Sequence, residues 1–368
     1  MIITNWEVKP VSCNFGNNIK ISIFGQSHSE AIGVVIDGLP AGFKIDTEKT
    51  AAFMARRAPG QNDLSTPRKE ADEVKILSGV VDNVTCGAPL CAVIFNTNTR
   101  SGDYDKLKLV PRPSHSDFAA WVKHEGFNDI RGGGNFSGRL TAPLCFAGAV
   151  CMQMLEEKGI KIGAHIASIG KVKDEKFDPI NVNADDFDKI LSKPFPVIND
   201  KQGELMRKEI YDAKALGDSV GGTIECAITG MPVGIGDPIF DGIENRISMA
   251  VFGIPAVKGI EFGSGFEGST LRGSENNDDF ICENGNIRTA TNNHGGILGG
   301  ISSGMPIVFR AAMKPTPSIG MKQNSINVES LEKEELVIGG RHDPCIVPRA
   351  VPCIEAAAAI VIADYILK

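Results

Sequence analysis

Two short turns constrain the fold of this chain more than any other feature: Gly38-Leu39-Pro40-Ala41-Gly42 and Gly230-Met231-Pro232-Val233-Gly234. They lie roughly 190 residues apart, far beyond the period of a solenoid. Each follows a strand-like run and precedes an acid-led helical run that ends near a proline. A chain built this way holds two related strand–turn–helix halves. Coincidence is the competing reading, because 41 glycines make such turns common. The 368 residues suggest about two domains by length alone. Strands and helices alternate throughout with no clear linker, however. The expectation is therefore one compact domain over 1–368, α/β or α+β, with an internal pseudo-repeat.

Residues 1–16 read as an irregular leader, closed by Gly16-Asn17-Asn18. Strands are expected at Ile19–Phe24, Ile32–Ile36, Glu73–Val80, Leu90–Phe95, Ile160–Ile169, Gly221–Ile228 and Met305–Ala312. Asp46 or Thr47 caps a helix that runs to Arg57 and stops at Pro59-Gly60. Further helices are expected over 117–124, 141–158, 184–191, 204–214, 241–252 and 350–367. Residues 171–205 are more polar and read as a loop or small insertion. The stretch 321–337 is polar and is left without an element.

The net charge of −7 and the lack of a basic run argue against a nucleic-acid partner. An anionic metabolite would need cations gathered locally, against that overall charge. The nine cysteines are odd in number, show no C-x-x-C pair and sit mostly in apolar runs. Reduced thiols in a cytoplasmic protein are the expectation, with no metal site. No secretory leader pattern and no apolar run of about 18 residues is visible, so no membrane span is expected.

The chemistry-bearing residues cluster on turns. His28, His115, His294 and His342 adjoin Gly, Ser, Arg or Asp, whereas His165 lies in an apolar strand and reads as structural. Arg56, Arg57, Arg112, Arg131, Arg139, Arg341 and Arg349 flank Gly or Pro turns, which can aim a guanidinium at carboxylate or phosphate. The loop Arg131-Gly132-Gly133-Gly134-Asn135-Phe136-Ser137-Gly138-Arg139 precedes a helix and could bring backbone N–H groups to an anion. It carries neither P-loop nor dinucleotide-fingerprint spacing. Lys314-Pro315-Thr316-Pro317-Ser318 offers a cation and hydroxyls on rigid backbone. Gly339-Gly340-Arg341-His342-Asp343-Pro344 is the densest cluster. Together these describe a site for a polyanionic ligand with groups that move protons.

From about Asn17 to its end, the chain resembles the chorismate synthase family. Phe24-Gly25-Gln26-Ser27-His28 resembles the family's Phe-Gly-Glu-Ser-His segment, with the same Asp37-Gly38-x-Pro40 turn after it. Arg112-Pro113-Ser114-His115-Ser116-Asp117 resembles Arg-Pro-Gly-His-Ala-Asp, and Arg131–Arg139 resembles the family's glycine-rich loop. Gly295–Ser302, Lys314–Ser318 and Arg341–Pro344 match closely.

The resemblance implies a β-α-β sandwich of this family's type, usually a homotetramer. It implies a lyase that converts 5-enolpyruvylshikimate 3-phosphate to chorismate and phosphate by 1,4-anti elimination, the last common step of the shikimate pathway. Reduced FMN is the implied cofactor. The source of its electrons, an NADPH-linked activity of the chain or an outside donor, stays open. By resemblance, Arg57, Arg112, Arg139 and Arg341 hold the substrate's anionic groups. His28 protonates the leaving phosphate beside Ser27, His115 lies by the flavin, and Asp343 acts near flavin N5. Ser137, Lys314, Pro315, Thr316, Pro317 and Ser318 bind FMN, with Asn135, Phe136, Pro255, Ala256, Gly299 and Arg341 around it.

The chain departs from the family pattern at Gln26, Ser29, Glu30, Ser114, Asn135, Phe136 and Asp63, the last standing where a second substrate arginine is expected. The alternative from another class is a non-catalytic flavin or phospho-metabolite binder on the same fold.

Overall fold

A computed structural model describes residues 13–60, 72–96, 106–339 and 343–367. Arg341, His342, Asp63 and residues 1–12 of the expected leader lie outside the described residues. So does Gly340.

Strand Ala31–Asp37 turns Ile32, Val34 and Ile36 inward with no exposure, as its apolar alternation predicts. It pairs with Lys20–Gly25 on one side and Leu90–Phe95 on the other, and every pairing in its sheet is antiparallel. The spatial order is Asn14–Phe15, Lys20–Gly25, Ala31–Asp37, Leu90–Phe95, Val74–Ser78. A second antiparallel sheet runs Val172–Lys173, Lys161–Ile169, Gly222–Thr229, Ile307–Met313, Val257–Phe262. The four main strands follow the same order in both sheets.

The matching turns make the duplication explicit. Gly38 and Gly230 have φ of 88° and 78°, and Gly42 and Gly234 have 91° and 89°. Thr85 Oγ1 donates to the Pro40 carbonyl at 2.6 Å, and Ser302 Oγ donates to that of Pro232 at 2.6 Å. The Gly42 and Gly234 N–H groups donate to the carbonyls of Thr85 and Ser302 at 2.8 and 2.9 Å. Two matched pairs of contacts, one through hydroxyls and one between backbone groups, together with the shared strand order, favour the repeat over coincidence. The halves differ most at their first connection and after their third strand, where the second half adds the 280–289 hairpin. Lys20–Gly25 and Ala31–Asp37 are joined by residues 26–30. The corresponding strands of the second half are joined by 170–221, which carries helices Ala184–Leu191 and Asp200–Ala215.

Helices fill the space between the sheets. Thr141–Glu156 touches Ala31–Asp37 and Lys161–Ile169, so it contacts both sheets. Val347–Ile366 packs on it, on Thr47–Arg57 and on Ile243–Phe252. Pro348 in the first turn suits the start of that last helix, and its surface is apolar all round, as burial in a middle layer requires. Two buried carboxylates anchor it. Glu355 accepts from both Arg56 Nη atoms at 2.6 and 2.9 Å and from Ala164 N at 2.9 Å. Asp364 accepts from the N–H groups of Asn17, Asn18 and Ile19 and from Arg246 Nη2 at 2.5 Å. Arg56 and Arg246 end up in corresponding helices of the two halves.

The fold is thus the expected α+β sandwich, and several element ends differ from expectation by a few residues. Asn14–Phe15 pairs as an edge strand inside the expected leader. Strand Val257–Phe262, with its irregular register at Val257/Gly259, gave no clean alternation to read. Two hairpins, 280–289 and 323–336, have mostly polar or exposed residues and so little apolar signal. His165 is structural as expected: fully buried, with ring nitrogens 3.2 Å from Asp174 and 3.0 Å from Glu225. No described helix is long and apolar enough to cross a membrane.

The helix contact at Gly148 gives a stability prediction. A Cβ there would stand 2.3 Å from Ala356 Cβ and 2.4 Å from its Cα. Gly148→Ala should push the two middle-layer helices apart and cost about 1–3 kcal/mol. Urea unfolding checks it; an unchanged midpoint would refute the packing.

Candidate active site

A cavity of about 860 Å³ opens where the two halves meet. The first half contributes Ser27, His28 and Arg57, and the second contributes Pro255 to Lys258 and much of Met313 to Ser318. The loop between them supplies Arg112, His115 and Asn135 to Arg139, and the segment entering the C-terminal helix supplies Asp343 and Arg349.

Ser27 and His28 ride the 26–30 connection and are almost fully buried. Their own contact is His28 Nδ1 to Ser27 Oγ at 3.2 Å, and Ser27 N donates to the Gly134 carbonyl at 3.0 Å. Here the triple glycine explains itself. Gly132, Gly133 and Gly134 all have positive φ. A Cβ on Gly132 would lie 2.4 Å from Ser27 Oγ and 2.5 Å from the His28 ring, and one on Gly133 would lie 3.3 Å from His115 Nε2. The loop was expected as an anion cradle; Gly132 and Gly133 instead approach the two imidazoles, and Gly134 packs against the Asp129 carbonyl.

His115 Nδ1 lies 2.6 Å from Asp117 Oδ1 and 3.1 Å from Arg112 Nη2. The carboxylate contact is the favourable one, so Nδ1 carries the proton and Nε2 is left towards Gly133. Arg112 clasps Asp117 at 2.7 and 2.8 Å and reaches Ser318 Oγ at 3.3 Å. Burial pushes the Asp117 carboxyl up. Hydrogen bonds from Arg112 and His115 outweigh that and hold it well below the usual carboxylate range.

Arg57 and Arg139, both buried, share the carboxylate of Asp72. Arg57 also donates to Thr141 Oγ1 and the Gly138 carbonyl, each at 3.1 Å, and Arg139 to Asn96 Oδ1 at 3.1 Å. Burial raises the Asp72 carboxyl, but the two guanidiniums overcome it and keep the group ionised. Asp72 holds φ 49°, a left-handed conformation that costs a non-glycine residue energy. Asp343 Oδ2 accepts from Arg349 Nη1 at 2.5 Å, and Arg349 Nε donates to the Arg57 carbonyl at 3.1 Å. Lys314 Nζ donates to the Ser114 carbonyl at 3.0 Å, and burial and neighbouring Lys258 lower its pKa. Among the described residues, six cations line the cavity: Arg57, Arg112, Arg139, Lys258, Lys314 and Arg349. In an acidic chain, that concentration marks an anion site.

Of the residues expected from the sequence, the lining includes Ser27, His28, Arg57, Arg112, His115, Asn135, Phe136, Ser137, Arg139, Pro255, Ala256, Lys314, Thr316, Pro317, Ser318 and Asp343. Pro315 is not in the lining although its neighbours are. Gly299 is not either; it sits in the tight turn between Ile297–Leu298 and Ile301–Ser302. Gln26 and Glu30 are exposed and absent from the lining, so neither side chain forms part of the cavity wall. Ser114 takes φ 58°, where the family's glycine is more at ease. Sequence reasoning missed Asp72, Lys258 and the parts played by Asp117 and Arg349. The Asp117 signal was its place five residues after Arg112; Asp72 had none. Among the described residues no cluster of three or more His, Cys, Asp or Glu could hold a metal.

Residues 19–367 match the family model described as chorismate synthase. The chain belongs to the chorismate synthase family. A chorismate synthase of Lancefieldella parvula is 46% identical over 366 residues, covering 96% of both chains. One of Dehalococcoides mccartyi is 44% identical over 97% of each. A crystal structure of a chorismate synthase superposes with a TM-score of 0.74 at 28% identity, over 95% of this chain and 92% of that one.

Gly132 gives the prediction for the site. Gly132→Ala should leave the protein folded and reduce turnover on the order of 10²-fold, because Ser27 and His28 must move aside. Turnover with an unchanged circular dichroism spectrum checks it; a normal rate would show that His28 does not depend on the loop.

Proposed function

We propose that this chain is a chorismate synthase in activity as well as family. It eliminates phosphate from 5-enolpyruvylshikimate 3-phosphate to give chorismate, with reduced FMN beside the substrate. The observation that carries this reading is one cavity uniting two imidazoles, a carboxylate and six cations. Its volume is near the upper end of the roughly 300–1,000 Å³ typical of ligand pockets, room for a cofactor and a substrate together.

The residues suit a flavin. Thr316 Oγ1 is buried on the wall without a hydrogen-bond partner, and a buried hydroxyl of that kind calls for a polar ligand. Lys314, Thr316, Pro317, Ser318, Asn135, Phe136, Ser137, Pro255 and Ala256 would hold FMN. When bound and reduced, FMN supplies the electron density that weakens the substrate's C–O bond. The chain does the rest. Arg57, Arg112 and Arg139 neutralise phosphate and carboxylates, and their fixed partners Asp72 and Asp117 keep them oriented before substrate arrives. His28 donates a proton to the departing phosphate, with Ser27 fixing its ring. His115, set by Asp117, presents Nε2 inward. Asp343 carries the proton that the elimination releases, held at the wall by Arg349.

A cytoplasmic location suits nine cysteines in no secretory or metal-binding pattern. A homotetramer suits the exposed apolar side chains Ile239, Phe240, Phe266, Phe280 and Ile287 of the second half.

Anaerobic incubation with dithionite-reduced FMN and 5-enolpyruvylshikimate 3-phosphate should give equal amounts of chorismate and phosphate. FMN binding without product would favour the non-catalytic binder. His28→Ala and His115→Ala should each lower turnover about 10²–10⁴-fold, the usual worth of a positioned acid or base. Near-normal rates in both would remove the proposed proton roles. Asp343→Ala should slow turnover far more than it weakens FMN binding, measured by flavin fluorescence; a loss confined to affinity would make Asp343 a cofactor ligand only.

A further inference from the structure

The cavity wall includes one thiol, Cys353, that the elimination does not use and that faces a second thiol buried behind it. Cys145, in helix Thr141–Glu156, and Cys353, in helix Val347–Ile366, face each other with sulfurs 3.7 Å apart. Both are buried, but Cys353 lines the cavity, which gives it a route to small solutes. We infer that Cys145 and Cys353 form a reversible redox pair, closed to a disulfide by hydroperoxide that enters the cavity, and that closure switches the site off.

Three features support this. A disulfide needs sulfurs about 2.0 Å apart, so these need to close by less than about 2 Å. The surroundings favour a thiolate. The Cys353 thiol is drawn below its ordinary pKa, chiefly by the hydrogen bond from Cys145; burial opposes this, and the Arg57 and Arg349 guanidiniums reinforce it. Burial raises Cys145, so it stays a thiol and holds the proton the second step needs. Finally, Cys353 is one turn beyond Arg349, with its Sγ 3.5 Å from the Arg349 carbonyl. Arg349 in turn fixes Asp343 and the Arg57 backbone. A pull on Cys353 therefore reaches both a proposed proton carrier and a proposed substrate arginine.

The chemistry balances with hydrogen peroxide as oxidant. The Cys353 thiolate attacks one peroxide oxygen, the O–O bond breaks, and the departing hydroxide takes a proton and leaves as water. This gives a sulfenic acid. The Cys145 sulfur then attacks the Cys353 sulfur, the S–O bond breaks, and the leaving hydroxide departs as water with the Cys145 proton. Two thiols are oxidised by two electrons and one peroxide is reduced to two waters.

The test treats the whole protein with graded hydrogen peroxide, alkylates the remaining thiols and maps cysteine-bearing peptides by mass spectrometry. The Cys145–Cys353 link should appear before the exposed Cys13, Cys86 and Cys282 are consumed. Turnover should fall at least about tenfold in step with it, since a 1 Å misplacement can cost as much as 10²-fold. Dithiothreitol should restore both. Cys145→Ala should keep basal turnover, form no link, and lose activity to peroxide irreversibly as Cys353 oxidises further. Consumption of the exposed cysteines while Cys145 and Cys353 stay alkylatable would overturn the pair. A link that forms without loss of turnover would overturn the switch. The mapping needs no substrate, so its result stands apart from the assigned activity.

Discussion

The structure depends on burying one helix, Val347–Ile366, between two sheets. A helix in that position has no solvent-facing side, so its two acidic residues in the later turns, Glu355 and Asp364, must be neutralised inside. Arg56 and Arg246 do this from helices that correspond in the two halves, and backbone N–H groups of Ala164 and Asn17 to Ile19 complete the shells. Removing one partner from such a buried pair typically costs about 3–5 kcal/mol, because it strands a charge. The same contacts tie both sheets to the last helix, and that helix carries Arg349 and Cys353 to the cavity floor. Fold and site therefore share one support.

Duplication gives the site its place. Related halves meet across the helical layer, and the cavity opens at their junction. Divergence gives it its chemistry. The five-residue connection 26–30 is too short to do more than reverse the chain, so Ser27 and His28 are held rigidly against the glycine loop. The second half spends the corresponding connection on two helices and brings instead the Pro255–Lys258 and Met313–Ser318 segments.

Much of this was legible in the sequence. The paired turns predicted the pseudo-repeat, and apolar periodicity located most helices and the inner strands. Residues from seven separate stretches of sequence, expected to share a site, do line one cavity. What the sequence could not convey was pairing. Asp72 follows a polar stretch and has no motif, yet it satisfies two arginines that come from elsewhere in the chain. Asp117 is visible as a helix start, but its use by Arg112 and His115 is a fact of three dimensions. Strand Val257–Phe262 was missed because an irregular register breaks the alternation that reveals strands. Gly299 matched a motif, yet the turn that holds it lies off the cavity.

The charge arrangement resolves how an acidic chain can hold a ligand with three anionic groups. Six cations crowded in one cavity would repel one another strongly if left alone. Asp72, Asp117 and Asp343 prevent that, each bound to an arginine and the first shared between two. Three carboxylates against six cations leave the cavity positive without leaving any of these four guanidiniums unpaired. The carboxylates Asp72 and Asp117 also stay ionised over the working pH range, because their arginines hold them below the ordinary carboxylate values. The donors are thus held in fixed directions by contacts within the protein. A ligand phosphate or carboxylate then meets oriented N–H groups, which is the condition for electrostatic stabilisation to act on the departing phosphate.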